Sequence, residues 1–298
     1  MPLTMQSRYF RSLVRKEVKD RDKSIAELRA GSMATSIPTM LRPRDVAMDK
    51  AVIEGVPVEW LVPKGGGNGT VIMHLHGGGC VSGSATGHRM LTALLAKRCG
   101  SRVVAPDYRL APEYPFPAAL EDALSVYRHL LGSGQAPGKI AVSGDSAGGG
   151  LAVAMMMALV EAGDPLPAAA VLMSPWVDLT LSSQTCSANA EIDAMLSVPT
   201  LGAWATDYSG VLGTEHPLVS PIYGDFRGLP PMLIQVGSDE VLLDDARRAA
   251  ARAVAAGVAV ELRVWEGLWH CWQVLGTMVP ENKASMAEVA AFLRSHFG

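Results

Sequence analysis

Cysteine is scarce in this chain. Its four copies, Cys80, Cys99, Cys186 and Cys271, are scattered, with neither the C-x-x-C spacing of a zinc site nor the density of a disulfide scaffold, so free thiols in a reducing compartment are expected. Charge is sparse too: only 18% of residues are Asp, Glu, Lys or Arg, and the net charge is −3. That leaves no field to hold nucleic acid or an anionic membrane surface. No apolar run reaches the ~20 residues that span a bilayer, and charge breaks MPLTMQSRYFRSLVRKEVKD before an apolar run of signal-peptide length develops. Low-complexity tracts and internal repeats are missing, and a 49% hydrophobic composition excludes a disordered chain. These absences read as a cytoplasmic globular protein whose partner is a small neutral molecule, with neither nucleic acid nor membrane involved; its state as monomer or homo-oligomer stays open.

What is present alternates. Residues 5 to about 30 carry Tyr9, Phe10, Leu13, Val14 and Val18 at helical spacing among basic and acidic residues, which predicts an amphipathic helix. After a loop containing Pro38 and Pro43, positions 46 to 62 read as two short strands hinged at Glu54-Gly55. From Thr70, short apolar runs (TVIMHL, SRVVAP, KIAVSG, AAAVLMS, PPMLIQVG, VAVELRVW) alternate with helical stretches near 87–98, 118–131, 147–162, 242–256 and 282–297. Strands without polar alternation are buried on both faces, so the fold class is α/β, a mostly parallel sheet flanked by helices, with ligands expected at the carboxyl ends of the strands. The interval from Pro175 to Pro230 breaks the rhythm. It has helical pieces, notably 197–208, but no convincing strand, which predicts a cap rather than an unstructured loop. The expected organisation is therefore 1–45 as an N-terminal helical segment contributing to the cap, 46–175 with 221–298 as the core, and 176–220 as the cap insertion.

Between the run ending at Ser143 and the helix from Ala147 stands Gly144-Asp145-Ser146-Ala147-Gly148. This G-x-S-x-G places a serine on a sharp strand-to-helix turn, with glycines where the two backbones approach too closely for side chains. Alone, it could equally be a phosphate loop or a plain tight turn. A serine nucleophile needs a histidine base and an acid to orient it. Of the histidines that follow, His216 lies in the cap and His296 near the C-terminus, whereas His270 lies just beyond VAVELRVW and is preferred. Asp239, directly after PPMLIQVG, is the preferred acid, with Glu240 and Asp244 behind it; Asp178, Asp193, Asp207 and Asp225 read as solvated or helix-capping residues. His76-Gly77-Gly78-Gly79 follows TVIMHL, and its glycines can turn backbone amides toward an oxyanion, so Gly77, Gly78 and Ala147 are the expected donors. The pair His74 and His76 lacks a third ligand cluster, so no metal and no cofactor are expected; His76 is read as a brace for the glycine loop.

HGGG at 76–79, DYRLAPE at 107–113, GDSAGGG at 144–150, VGSDEVLLDD at 236–245 and the late histidine together resemble the bacterial hormone-sensitive-lipase-like (family IV) carboxylesterases of the α/β-hydrolase superfamily, over about Thr70 to the C-terminus. The resemblance implies Ser146, Asp239 and His270 as catalytic residues, an oxyanion hole from Gly77, Gly78 and Ala147, a helical cap, no cofactor, and hydrolysis of short to medium acyl-chain esters. Two departures stand out. Cys80 replaces the aromatic residue that often follows HGGG, and Asp239-Glu240-Val241-Leu242 replaces D-P-L. Cys80 is expected to widen the pocket and to confer thiol sensitivity; Cys80, Trp176, Trp204 and Leu242, with Met195, Leu196 and Tyr208, are the expected pocket lining. Asp107, Arg109 and Glu113 are expected to form one ion-pair network beside the glycine loop. The alternatives are a receptor on the same fold and an amidase, peptidase or lactonase using the same triad; a dinucleotide binder is disfavoured because no acidic ribose partner stands at the expected position.

Overall fold

Positive φ angles at Glu54 and Gly55 reverse the chain between β1 (Val46–Ile53) and β2 (Val56–Pro63), which pair antiparallel from Val46↔Pro63 to Ile53↔Val56. They open one edge of an eight-stranded sheet with strand order β1-β2-β4-β3-β5-β6-β7-β8. The remaining strands are β3 (Val71–Leu75), β4 (Arg102–Pro106), β5 (Ile140–Asp145), β6 (Ala169–Met173), β7 (Met232–Gly237) and β8 (Val260–Trp265). β4 runs antiparallel to β2, and all other pairs are parallel. The computed structural model describes residues 3–19, 24–30 and 45–298.

Burial explains the strand sequences. Every residue of β3, β5, β6 and β7 is buried, which is why these strands read as unbroken apolar runs. β8 lies at the edge of the sheet, alternates in exposure and carries Glu261 and Arg263 on its open face.

Helices cover both faces. α3 (Arg89–Cys99) and α9 (Asn282–His296) pack on one through Leu91, Leu95, Val289 and Leu293. On the other lie α4 (Ala118–Gly132), α5 (Ala147–Ala162) and α8 (Leu243–Ala255), with Leu120, Val126, Leu151, Met155 and Ala246 inward. α5 is apolar around its whole circumference, as suits a helix inserted between the sheet and its neighbours.

Between β6 and β7 come the short α6 (Gln184–Ala188) and α7 (Val198–Ser209), with no strand among the described residues. Pro199 occupies the first turn of α7, where its missing N–H costs nothing, and the Ser197 side chain caps it by accepting from the Thr200 amide. The single helix expected over residues 5–30 is instead α1 (Met5–Val14), a π-helical turn at Arg15–Lys19, and α2 (Ile25–Ala30). The expected loop with Pro38 and Pro43 lies outside the described residues. No helix among the described residues is long and apolar enough to cross a membrane.

The crossing of α5 over β3 depends on glycine. A Cβ on Gly148 would collide with the carbonyl oxygens of Leu75 and His76, and one on Gly144 with Gly148 itself. Gly148→Ala is expected to cost about 1–3 kcal/mol by overpacking, read as a lowered midpoint in thermal denaturation. Gly132→Ala, where a Cβ meets nothing within 4 Å, is expected to leave the midpoint unchanged or slightly raised.

Candidate active site

The chain leaves β5 through Asp145 and turns sharply at Ser146, whose φ of 54° and ψ of −125° are strained for a residue with a side chain. The turn is held from the next strand: the Ser146 amide donates to Met173 O at 2.9 Å, and the Ser146 carbonyl accepts from Trp176 N at 2.9 Å and Gly149 N at 3.0 Å. Of the six non-glycine residues with positive φ among the described residues, Cys80, Ser146, Ser174 and Cys271 all stand at this carboxyl edge of the sheet. Strain is thus concentrated where a pocket opens.

That pocket, of about 180 Å³, is walled by Gly77, Gly78 and Gly79, by Ser146, and by His270 and Cys271. Val18, Leu28, Met195, Leu196, Trp204 and Val274 give it an apolar roof and side. Trp204 of α7 sits against Gly79, where a Cβ would strike its indole. The structure thus brings Ser146 and His270, far apart in sequence, to the walls of one cavity.

The carboxylate facing His270 corrects the sequence expectation. Glu240 Oε2 lies 2.8 Å from His270 Nδ1, and both side chains are buried. Asp239 turns outward, accepting from Ser238 Oγ at 2.8 Å and pairing with Arg11 of α1 at 2.5 Å. The reason is the tight turn after β7: consecutive side chains leave it in different directions. That of Glu240 folds back so that its Oε1 accepts from the Gly237 amide, and Asn189 Nδ2 in the cap clasps the carbonyls of Ser238 and Glu240. Asp244 lies on α8 and accepts from the Thr185 amide, away from the histidine. Burial alone would lower the pKa of His270, but the hydrogen bond and charge of Glu240 outweigh it and hold the imidazole above its ordinary value. Its Nε2 lies 3.3 Å from Cys271 Sγ.

The glycine loop needs a second correction. The Gly77 amide is consumed by a hydrogen bond to Asp145 Oδ1 at 3.1 Å, because that buried carboxylate lies directly under it. Among the described residues no acceptor engages the amides of Gly78, Gly79 or Ala147. The Gly79 amide, which the sequence does not single out, is as open as that of Gly78, since three glycines in a row carry no signal of which amide is engaged. His76 does brace the loop: its Nδ1 lies 2.9 Å from Gly77 O, its ring stacks on Tyr108 at 4.2 Å, and Tyr108 Oη donates to His76 O at 2.6 Å. Burial pushes the His76 pKa down to about 3, so it acts as a neutral ring.

Other expectations divide. Cys80 and Trp176 line a separate chamber of only about 10 Å³ with Tyr208, Leu218 and Val219, roughly enough for one water. Leu242 lines neither cavity and belongs to the core. The Cys80 thiol is buried, and that burial pushes its pKa up to about 12, so the thiol sensitivity expected there is not supported. All four cysteines are free and buried. The charged side chains of DYRLAPE engage elsewhere: Arg109 pairs with Asp122 and Glu121, Glu113 with Arg29, and Asp107 accepts a hydrogen bond from the Ala85 amide. Asp178 and Asp193 are buried rather than solvated. Asp193 accepts from the amides of Met195, Leu196 and Val241, tying the cap to the residue after Glu240. Among the described residues no group of three or more His, Cys, Asp or Glu is placed to hold a metal ion.

Comparison with known proteins identifies the fold and its relatives. Residues 72–274 match the model of a family described as having the α/β-hydrolase fold. An acetyl-hydrolase of Streptomyces hygroscopicus is 41% identical over 87% of this chain and 91% of its own length. An esterase of Acinetobacter venetianus is 40% identical over 76% of this chain and 75% of its own. Among solved structures, an esterase from the bacterial hormone-sensitive lipase family superposes with a TM-score of 0.95 at 40% identity, covering 100% of both chains.

Proposed function

The chain belongs to the bacterial hormone-sensitive-lipase-like esterases of the α/β-hydrolase fold and is a carboxylic-ester hydrolase; from that premise we propose that Ser146 is its nucleophile, His270 its general base and Glu240 the acid that orients the base. The observation that carries this reading is the buried Glu240–His270 hydrogen bond beside the strained Ser146 in one pocket. In this mechanism the serine Oγ attacks the ester carbonyl while Nε2 of His270 takes its proton, exchanging a weak thiol contact for the hydroxyl. The oxyanion is received by the amides of Gly78, Gly79 and Ala147, with the amino end of α5 adding its positive dipole. Alcohol leaves with the proton, and water, deprotonated by the same ring, releases the acid from the acyl-enzyme. In this reading the described residues 3–19 and 24–30 of the N-terminal segment 1–45, with 176–220, roof a core of 46–175 and 221–298.

Short acyl groups are the substrates we favour. The pocket is smaller than the ~300–1,000 Å³ of a drug-sized ligand site, its lining includes the bulky Trp204, Met195 and Leu196, and one relative is named an acetyl-hydrolase. p-Nitrophenyl butyrate is expected to be hydrolysed faster than the palmitate ester in matched assays; the reverse ranking would exclude a short-chain site.

Labelling with a fluorophosphonate followed by peptide mass mapping is expected to place the adduct on Ser146 and to find none on Ser146→Ala. An adduct elsewhere, or undiminished labelling of the variant, removes the nucleophile assignment.

A pair of neighbouring variants separates the acids. Below its pKa, His270 is protonated and accepts no proton; since that pKa is raised in the free enzyme, the acidic limb of the kcat/KM profile is expected to lie above pH 6.5. Glu240→Gln removes the largest contributions that raise it, leaving only the more distant charges of Asp193 and Asp145 against the burial that lowers it, so the limb should move to lower pH while kcat falls by about 10²–10⁴. Asp239→Asn should keep the wild-type limb and kcat within about threefold, because its partner is a part-exposed arginine.

A further inference from the structure

The carboxyl end of β6 meets the serine turn, the acid turn and the histidine loop. Met173 O holds the Ser146 amide, and the next residue, Ser174, reaches Glu240 and the residue that follows His270. Ser174 Oγ donates to Glu240 Oε1 at 2.7 Å and accepts from the Cys271 amide, the residue after His270, at 3.3 Å. Its own amide donates to Gln235 O on β7 at 2.7 Å. The side chain is fully buried, and the backbone is held at φ 49°, in the left-handed region that disfavours side chains.

A hydroxyl has one proton to give. Because the Cys271 N–H occupies one of its lone pairs, the O–H is directed at Glu240. Oε1 thus receives two donors, Ser174 Oγ and the Gly237 amide, which leaves Oε2 as the oxygen presented to His270 Nδ1. We propose that Ser174 is a positioning residue: its hydroxyl clamps the Glu240 carboxylate and the His270 loop in one register, fixing which carboxylate oxygen the imidazole meets. This rests on the reading of Glu240 as the orienting acid. Ser174 touches neither the pocket nor substrate and acts through Glu240 and His270.

Substituting glycine tests this cleanly, since Ser174→Gly removes the hydroxyl and also relieves the backbone at φ 49°. A merely structural role predicts a change in thermal midpoint and equal effects in any background. Positioning predicts a kcat lower by about 10–100-fold, a KM within about twofold, an unchanged midpoint, and no further loss when Ser174→Gly is added to Glu240→Gln. Full kcat in Ser174→Gly beside a crippled Glu240→Gln overturns the positioning role and leaves the acid assignment standing. An active Glu240→Gln overturns the acid assignment, and the positioning role with it. Equal losses in both backgrounds also overturn the positioning role. Should the glycine variant fail to fold, Ser174→Ala in the same two backgrounds gives the same readouts.

Discussion

A fully buried carboxylate one residue before the strained serine organises this end of the molecule. Asp145 is out of water at the end of β5, and an ionised carboxylate there costs several kcal/mol unless it is compensated. Three groups compensate it. The Gly77 amide donates to Oδ1, His88 Nε2 lies 3.2 Å from Oδ2, and His74 Nε2 lies 3.2 Å from Oδ1, near enough for attraction but poorly aligned for a hydrogen bond. Burial pushes the Asp145 pKa up, yet the charge of His88 and the two imidazole contacts prevail and hold it well below the ordinary carboxylate range. The same bond that satisfies Asp145 sets the register of the glycine loop. With Gly77 committed downward, the next two amides are turned away from the carboxylate and left without a protein acceptor.

The acid loop after β7 is held from the opposite side by the cap. Asn189 grips the carbonyls of Ser238 and Glu240, and Asp193 grips the Val241 amide. Residues 190–193 are in turn held by the N-terminal segment, where Arg11 and Arg15 donate to the carbonyls of Ile192 and Glu191 and Lys19 donates to those of Ala190 and Asp193. The chain of contacts therefore runs from the basic face of the first helix, through the cap loop, to the carboxylate facing His270. Roof and acid are mechanically continuous.

Legibility in the sequence followed burial. Strands β3, β5, β6 and β7 were plain because both faces are covered and no polar residue is tolerated at most positions. That Ser146 and His270 reach one pocket was legible because each follows a recognisable strand. The carboxylate that faces His270 was misplaced by one position because a strand end fixes where a turn begins, not which side chain points inward. That choice belongs to the Gly237 amide, to Ser174 on β6 and to Asn189 in the cap, none adjacent to the acid. The Gly77 error has the same origin: the carboxylate that captures its amide comes from another strand. Ser174 gave no signal, since a lone serine before Pro175 looks like any strand terminus until its φ and its two partners are seen.

What keeps the first helix on the molecule follows from comparing magnitudes. The Arg11–Asp239 pair is 30% and 17% exposed, and a pair so placed contributes at most ~1 kcal/mol. Against it stand Val14, fully buried, and the partly buried Phe10 and Val18, packed on a cluster that includes Trp269 and Trp272. Each buried side chain of that size is worth about 1.5–3 kcal/mol when wholly removed from water. Apolar packing therefore holds the helix down, and the basic side chains select its orientation by meeting fixed carbonyls and Asp239. The two indoles it covers flank His270 and Cys271 in sequence, so the hydrophobic contact that attaches the roof is made to the same short segment that carries the imidazole. A helix that looks peripheral in the sequence thus seals the loop on which the proton transfer is proposed to turn.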